Sequence, residues 1–245
     1  MAEIMKENPS PYPTPKRRGD SLFKRFTPLQ VAMHLYAWSA AAHILFDFLT
    51  GNISPNPIQE LEQRTGRHAI TLFVLSLACT PLNTLFKWSE PLKRRRALGL
   101  YAFLYAVIHV IIYLDLDYGL AWSLIAQEVI EKPRIIVGML AFLLLIPLAV
   151  TSFDIWKKRL GKNWKKLHRT VYFIAPLVVL HYVWSKKGDL LSLQGEILKP
   201  AVYGLILGAF LILRIPAVRK GIASLRDRLQ SARFRENPRV RADHP

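Results

Sequence analysis

The apolar residues of this chain are gathered into blocks about as long as a bilayer is thick, separated by polar, proline-containing or basic stretches. A helix needs roughly 20 predominantly apolar residues to cross the hydrocarbon core. Lipid offers no partner for a free amide, so repeated blocks of that length fold as a helical bundle. Six spans are read: Leu29–Leu49, His68–Phe86, Ala97–Leu114, Ile135–Thr151, Thr170–Trp184 and Leu198–Ile215. The fifth is short and begins in a basic segment. The expected fold class is all-α, a polytopic membrane helical bundle of six transmembrane helices with both termini cytoplasmic. No repeat is visible between the halves.

Orientation follows from the basic residues. With the N-terminus inside, 27 of the 34 Lys and Arg fall in inner segments and 7 in outer loops, the bias expected of cytoplasmic loops. The same bias accounts for a net charge of +17 without nucleic acid. Residues 1–27, with Pro9, Pro11, Pro13, Pro15 and a Lys16-Arg17-Arg18 run, read as a disordered basic leader. Residues 28–215 form the membrane domain. Residues 216–245 form a basic cytoplasmic tail in which Ile222, Leu225 and Leu229 recur at helical spacing. Trp122, Ile125, Val129 and Ile130 recur similarly in the second outer loop, as in a helix lying on the membrane surface. Cys79 is the single cysteine, which excludes an intrachain disulfide and a thioether-attached haem.

Six of the seven histidines lie in or beside apolar spans. Ionisable residues there are expensive and mark function or a partner, and neutral imidazole is the commonest haem-iron ligand. On the third span His109 lies roughly 18 Å from the inner end, counting about 1.5 Å per residue. His181 lies near the outer end of the fifth span, so the two reach similar depth on separate helices. Ala102 and Ala106 share the His109 face. His168, thirteen residues before His181, lies about 20 Å away along an ideal helix and near the inner surface. His34, in the inner half of the first span, is a candidate second ligand there. Spacing alone does not decide between one haem and two. His43 and His68 read as helix contacts.

The stretch Arg95 to His109, RRALGLYAFLYAVIH, resembles the third helix of the MsrQ family. Thr65-Gly66-Arg67, Thr80-Pro81-Leu82, the segment KRLGKNWKKLHR ending at Arg169 and LHYVW ending at Trp184 are similar to the same family in order and spacing. The resemblance runs from about Val31 to about Arg214. It implies a ferric-reductase-like bundle in the bacterial inner membrane, with haem b (one or two) and flavin mononucleotide. It implies electron delivery to a periplasmic molybdopterin-containing methionine sulfoxide reductase subunit that repairs oxidised proteins. It also implies that His109, His168 and His181 are haem histidines, and His34 matches a family position. The related NADPH oxidase membrane domains carry two histidines on the third helix, whereas here the inner position near Arg95 has none. There is no G-x-G-x-x-G loop for a flavin phosphate. Arg94, Arg95 and Arg96, or Lys157 to Lys166, are candidates for a flavin phosphate or haem propionates.

The expected function is therefore an electron-transfer subunit, rather than the catalytic one, drawing on a cytoplasmic flavin reductase or on quinone. A self-standing transmembrane ferric-chelate reductase is the alternative. A transporter with histidines that never meet haem is disfavoured by the scarcity of intramembrane acids. The basic bias predicts that a reporter fused after His244 reads as cytoplasmic and one inserted near Gln127 as periplasmic. The opposite pattern at either site overturns the six-span topology.

Overall fold

The computed structural model of the protein describes residues 26–186, 188–189, 194–195 and 197–236. Of the expected leader, only Phe26 and Thr27 fall within them, and residues 237–245 of the tail lie outside. The described chain is helical: α1 Pro28–Thr50, α2 Pro57–Phe86, α3 Glu90–Ile111, α4 Trp122–Glu131, α5 Pro133–Val150, α6 Asp154–Leu160, α7 Lys162–His168, α8 Val171–Trp184, α9 Leu198–Ile212 and α10 Pro216–Glu236. A π-helical stretch, Ile112–Asp117, continues α3. Gly188–Asp189 pairs antiparallel with Gln194–Gly195, the one extended pairing among the described residues.

Local sequence sets where the helices begin. Proline stands in the first turn of α1, α2, α3, α5 and α10, where its missing N–H is not needed and its fixed φ suits the helix. The Thr27 hydroxyl accepts from the Gln30 amide, and the Asn56 side chain accepts from that of Gln59. Each satisfies an amide that the first turn would otherwise leave open.

Three helical segments are long and apolar enough to cross a membrane: Pro57–Phe86, Glu90–Asp117 and Pro133–Val150. A fourth arises if α9 and the start of α10, bent by 77° at their junction, count as one span. The six expected spans are thus matched in part. α1 has 23 residues, but Gln30, His34, His43 and Asp47 lower its apolarity. α8 occupies the fifth expected span but has only 14 residues. The second expected span lies within α2, which starts eleven positions before it because its first three turns are polar yet remain helical.

The core is built from small and branched side chains where helices approach. Met33, Ala37, Leu72 and Tyr105 are buried where α1, α2 and α3 meet, and Ala141, Ile174 and Leu207 where α5, α8 and α9 meet. Large apolar side chains point outward instead: Phe46 is 61% exposed and Leu205 75%. That much outward apolar surface marks a chain surrounded by lipid. In α4 only Ile125 of the expected stripe is buried, while Trp122 and Ile130 face out.

Two junctions tie the bundle across its length. Ala37 is fully buried, and its carbonyl accepts from the Tyr105 hydroxyl at 2.7 Å and from His68 Nε2–H at 3.3 Å. Pro81, inside α2, has no N–H to give the Leu77 carbonyl four residues back. Arg214 fills that gap, donating from Nη2 at 2.7 Å. Arg226 of α10 likewise donates to the Thr84 carbonyl at 3.0 Å. Ala37→Leu would force α1 away from α2 and α3, a core overpacking that costs about 1–3 kcal/mol. The expected result is a lower melting temperature in detergent, and an unchanged one would mean that α1 packs loosely.

Candidate functional site

α3 packs along α2, and α8 along α5. Each pair seats one histidine by the same means. His109 on α3 hydrogen-bonds the Glu62 carbonyl of α2 through Nδ1 at 3.0 Å. His181 on α8 hydrogen-bonds the Arg134 carbonyl of α5 through Nδ1 at 2.8 Å. A carbonyl only accepts, so in both rings Nδ1 carries the proton and, in the neutral ring, Nε2 carries the lone pair. Such a bond fixes the tautomer and orientation of a metal-binding imidazole and raises its basicity.

Four residues beyond each accepting carbonyl, on the same helix face, stands a glycine. A Cβ at Gly66 would lie 3.2 Å from His109 Cε1 and Nδ1, and one at Gly138 only 2.6 Å from His181 Nδ1. Both rings therefore rest against helix backbone that a side chain would cover. The histidine and its carbonyl partner are 47 residues apart in both cases. The two halves share this arrangement without a visible sequence repeat.

The device brings His109 and His181 together, with ring centroids 6.2 Å apart and planes at 76°. An imidazole nitrogen lies about 2 Å from a metal it ligates and about 1 Å from its own ring centre, so two rings flanking one iron have centroids about 6 Å apart. Among the described residues neither Nε2 has a hydrogen-bond partner. His109 and His181 at this spacing would be able to hold one haem iron between them. A cavity of about 940 Å³ opens between α5, α8 and α9 and touches Arg134, Pro176 and Trp184 but neither histidine.

The other histidines separate by the nitrogen they use. His168, at the end of α7, hydrogen-bonds the Trp164 carbonyl through Nδ1 at 3.1 Å and stacks on the Trp164 ring at 4.0 Å. Its Nε2 is buried and without a well-formed hydrogen bond. Burial pushes this imidazole below its usual pKa, against the pull of the Trp164 and Leu148 carbonyls. His34 meets the Tyr101 hydroxyl through Nδ1 at 2.9 Å, and no contact among the described residues joins it to His168. His68 spends Nε2 on the Tyr36 and Ala37 carbonyls and lies against the rings of Tyr36 and Tyr105. His43 sits with Asp47 and Arg64 in an ion-pair cluster. Both of these are helix contacts, as expected.

Sequence reasoning named the paired histidines but not their seats. Gly66 lies in a quoted motif without a stated role, and Gly138 gives no signal except as a lone glycine in an apolar run. The π-helical stretch that begins three residues after His109 was also not foreseen; wide turns of this kind often accompany functional sites.

Residues 65–179 match the family described as ferric reductase like transmembrane component. The chain is 42% identical over 163 residues to the protein-methionine-sulfoxide reductase heme-binding subunit MsrQ of Xanthomonas axonopodis pv. citri, covering 66% of this chain and 72% of that protein. It is 41% identical over 175 residues to the protein of the same name from Rhodospirillum rubrum, covering 71% of this chain and 81% of that one.

Two glycine substitutions test the seats without any cofactor. Alanine gains about 1 kcal/mol over glycine in helix propensity. Displacing a buried imidazole from its carbonyl costs about 1–3 kcal/mol. Gly66→Ala, with its milder contact, is expected to leave the melting temperature nearly unchanged. Gly138→Ala is expected to lower it clearly, and equal effects at the two sites would contradict the seating geometry.

Proposed function

We propose that this chain, which belongs to the MsrQ family of haem-binding subunits of the protein-methionine-sulfoxide reductase system, carries electrons through haem held between His109 and His181. The observation that carries this reading is the matched pair of partnerless Nε2 atoms on rings 6.2 Å apart. Haem b, when bound, supplies a one-electron iron couple. The chain's own part is to hold two neutral imidazoles in a fixed tautomer. The Glu62 and Arg134 carbonyls orient them, and Gly66 and Gly138 leave them room. A haem held by both His109 and His181 would supply electron passage rather than oxygen or substrate chemistry.

In the membrane, α1 and α8 complete a six-span bundle with both termini cytoplasmic, in keeping with the basic bias. This orientation sets His109 and His181 toward the periplasmic side of a bacterial inner membrane and His168 toward the cytoplasmic side. The Nε2 of His168, buried and without a well-formed hydrogen bond, supports a second haem there. His34 is the weaker candidate, since the Tyr101 hydroxyl at its Nδ1 can donate as well as accept and so does not fix which nitrogen keeps the lone pair. Electrons enter from a cytoplasmic flavin reductase or quinone and leave to a periplasmic molybdopterin-containing methionine sulfoxide reductase subunit docked on the outer loops around α4. For flavin mononucleotide, no glycine-rich loop is present among the described residues, and no step is assigned to it.

Spectra of purified variants, oxidised and reduced, test the assignment. His109→Ala and His181→Ala are each expected to abolish one low-spin centre and electron transfer to the reductase subunit. His168→Ala is expected to leave that centre and alter a second. Full transfer with a six-coordinate spectrum in either of the first two would break the pairing. Rapid reduction of ferric chelates without the reductase subunit would favour the self-standing reductase instead.

A further inference from the structure

The three consecutive arginines at the start of α3 do not share one environment. Arg94 pairs with Glu90 at 2.9 Å, and Arg96 with Asp154 at 2.9 Å. Arg95 is half-buried, and its Nη1 lies 3.5 Å from the Thr80 hydroxyl on α2. Arg214, two residues past α9, brings Nη2 to within 3.4 Å of the same hydroxyl. The Arg214 Nε is buried without a partner, and its guanidinium lies over the Tyr172 ring, 5.7 Å from the centroid. Among the described residues no carboxylate forms an ion pair with Arg95 or Arg214.

Two cationic nitrogens that both approach one hydroxyl lie no more than about 7 Å apart. Buried charges are normally paired, because desolvation without a counter-charge is expensive. A hydroxyl can accept from both guanidinium groups but leaves their charge uncompensated. The general excess of basic residues in inner loops explains cations that face water or headgroups, and Arg94 and Arg96 have carboxylates besides. It does not explain two arginines turned toward each other inside the bundle. Arg214 is held there by the Leu77 carbonyl that Pro81 leaves open, so the site is built into α2 rather than being a chance meeting of flexible side chains.

We infer that Arg95, Arg214 and Thr80 form an anion site at the end of the bundle opposite His109 and His181, suited to one carboxylate or phosphate group. Guanidinium forks match the paired oxygens of both groups. The anion has two sources, a haem propionate or a phospholipid phosphate. The site itself stands without the haem assignment.

The full chain, purified and stripped of lipid and haem, is melted after addition of haem b or of its dimethyl ester. In a second arm it is melted in vesicles of phosphatidylglycerol or of a phosphate-free glycolipid. A propionate source gives several degrees more stabilisation by haem b than by the ester. A lipid source gives several degrees more in phosphatidylglycerol than in glycolipid. Arg95→Gln keeps the Leu77 anchor on Arg214 and is expected to lose whichever difference is found. Thr80→Glu places a carboxylate between the guanidinium groups and is expected to melt high without added anion and to gain nothing from it. A wild-type chain indifferent in both arms overturns the anion site, as does an Arg95→Gln chain that keeps the full difference.

Discussion

An imidazole N–H given to a carbonyl of the neighbouring helix is the contact on which the arrangement of this bundle turns. A helical carbonyl already accepts from the amide four residues on, and its second lone pair faces outward. His109 and His181 each take one such lone pair, at Glu62 and Arg134. Interhelical hydrogen bonds of this kind contribute about 0.6 to 1.7 kcal/mol in a bilayer, so their value here lies less in stability than in geometry. The bond that holds each helix pair together also chooses which nitrogen is left with a lone pair. His68 makes the opposite choice and closes a helix contact.

Polar side chains elsewhere in the bundle also act at places where the helix backbone is incomplete or exposed. Arg214 satisfies a carbonyl made vacant by Pro81, and Arg226 caps the end of α2 through Thr84. These contacts tie the last helices back to α2, the helix that also carries Gly66 and the Glu62 carbonyl. One helix thereby organises both ends of the bundle.

Much of this was legible in the amino-acid sequence, and the remainder was hidden for physical reasons. Apolar block length located α5 and α9 closely, since proline and basic residues punctuate them. It did not reach the start of α2, because hydropathy measures contact with lipid and not helicity. Its first turns, with Glu60, Glu62 and Gln63, are polar but hydrogen-bonded as helix. Chain direction and rise brought His109 and His181 to one depth, but period alone could not say that their rings meet, which depends on how two hairpins pack. Gly138 was invisible because the meaning of a helical glycine lies in what approaches it. The two-fold device, with its shared separation of 47 residues, left no repeat because backbone carbonyls and missing side chains do the work.

That repetition has a consequence for how the molecule is assembled. Each hairpin, α2 with α3 and α5 with α8, carries its own histidine together with the carbonyl that seats it, so neither seat depends on the other. Membrane helices form first and associate afterwards, so a metal bound between the halves would act as a cross-brace added last. Because only the docked bundle would bind it, loading would stabilise the assembled form by mass action. A bundle starved of metal would then be a pair of finished hairpins awaiting a clasp, and its lifetime in the membrane would report cofactor supply.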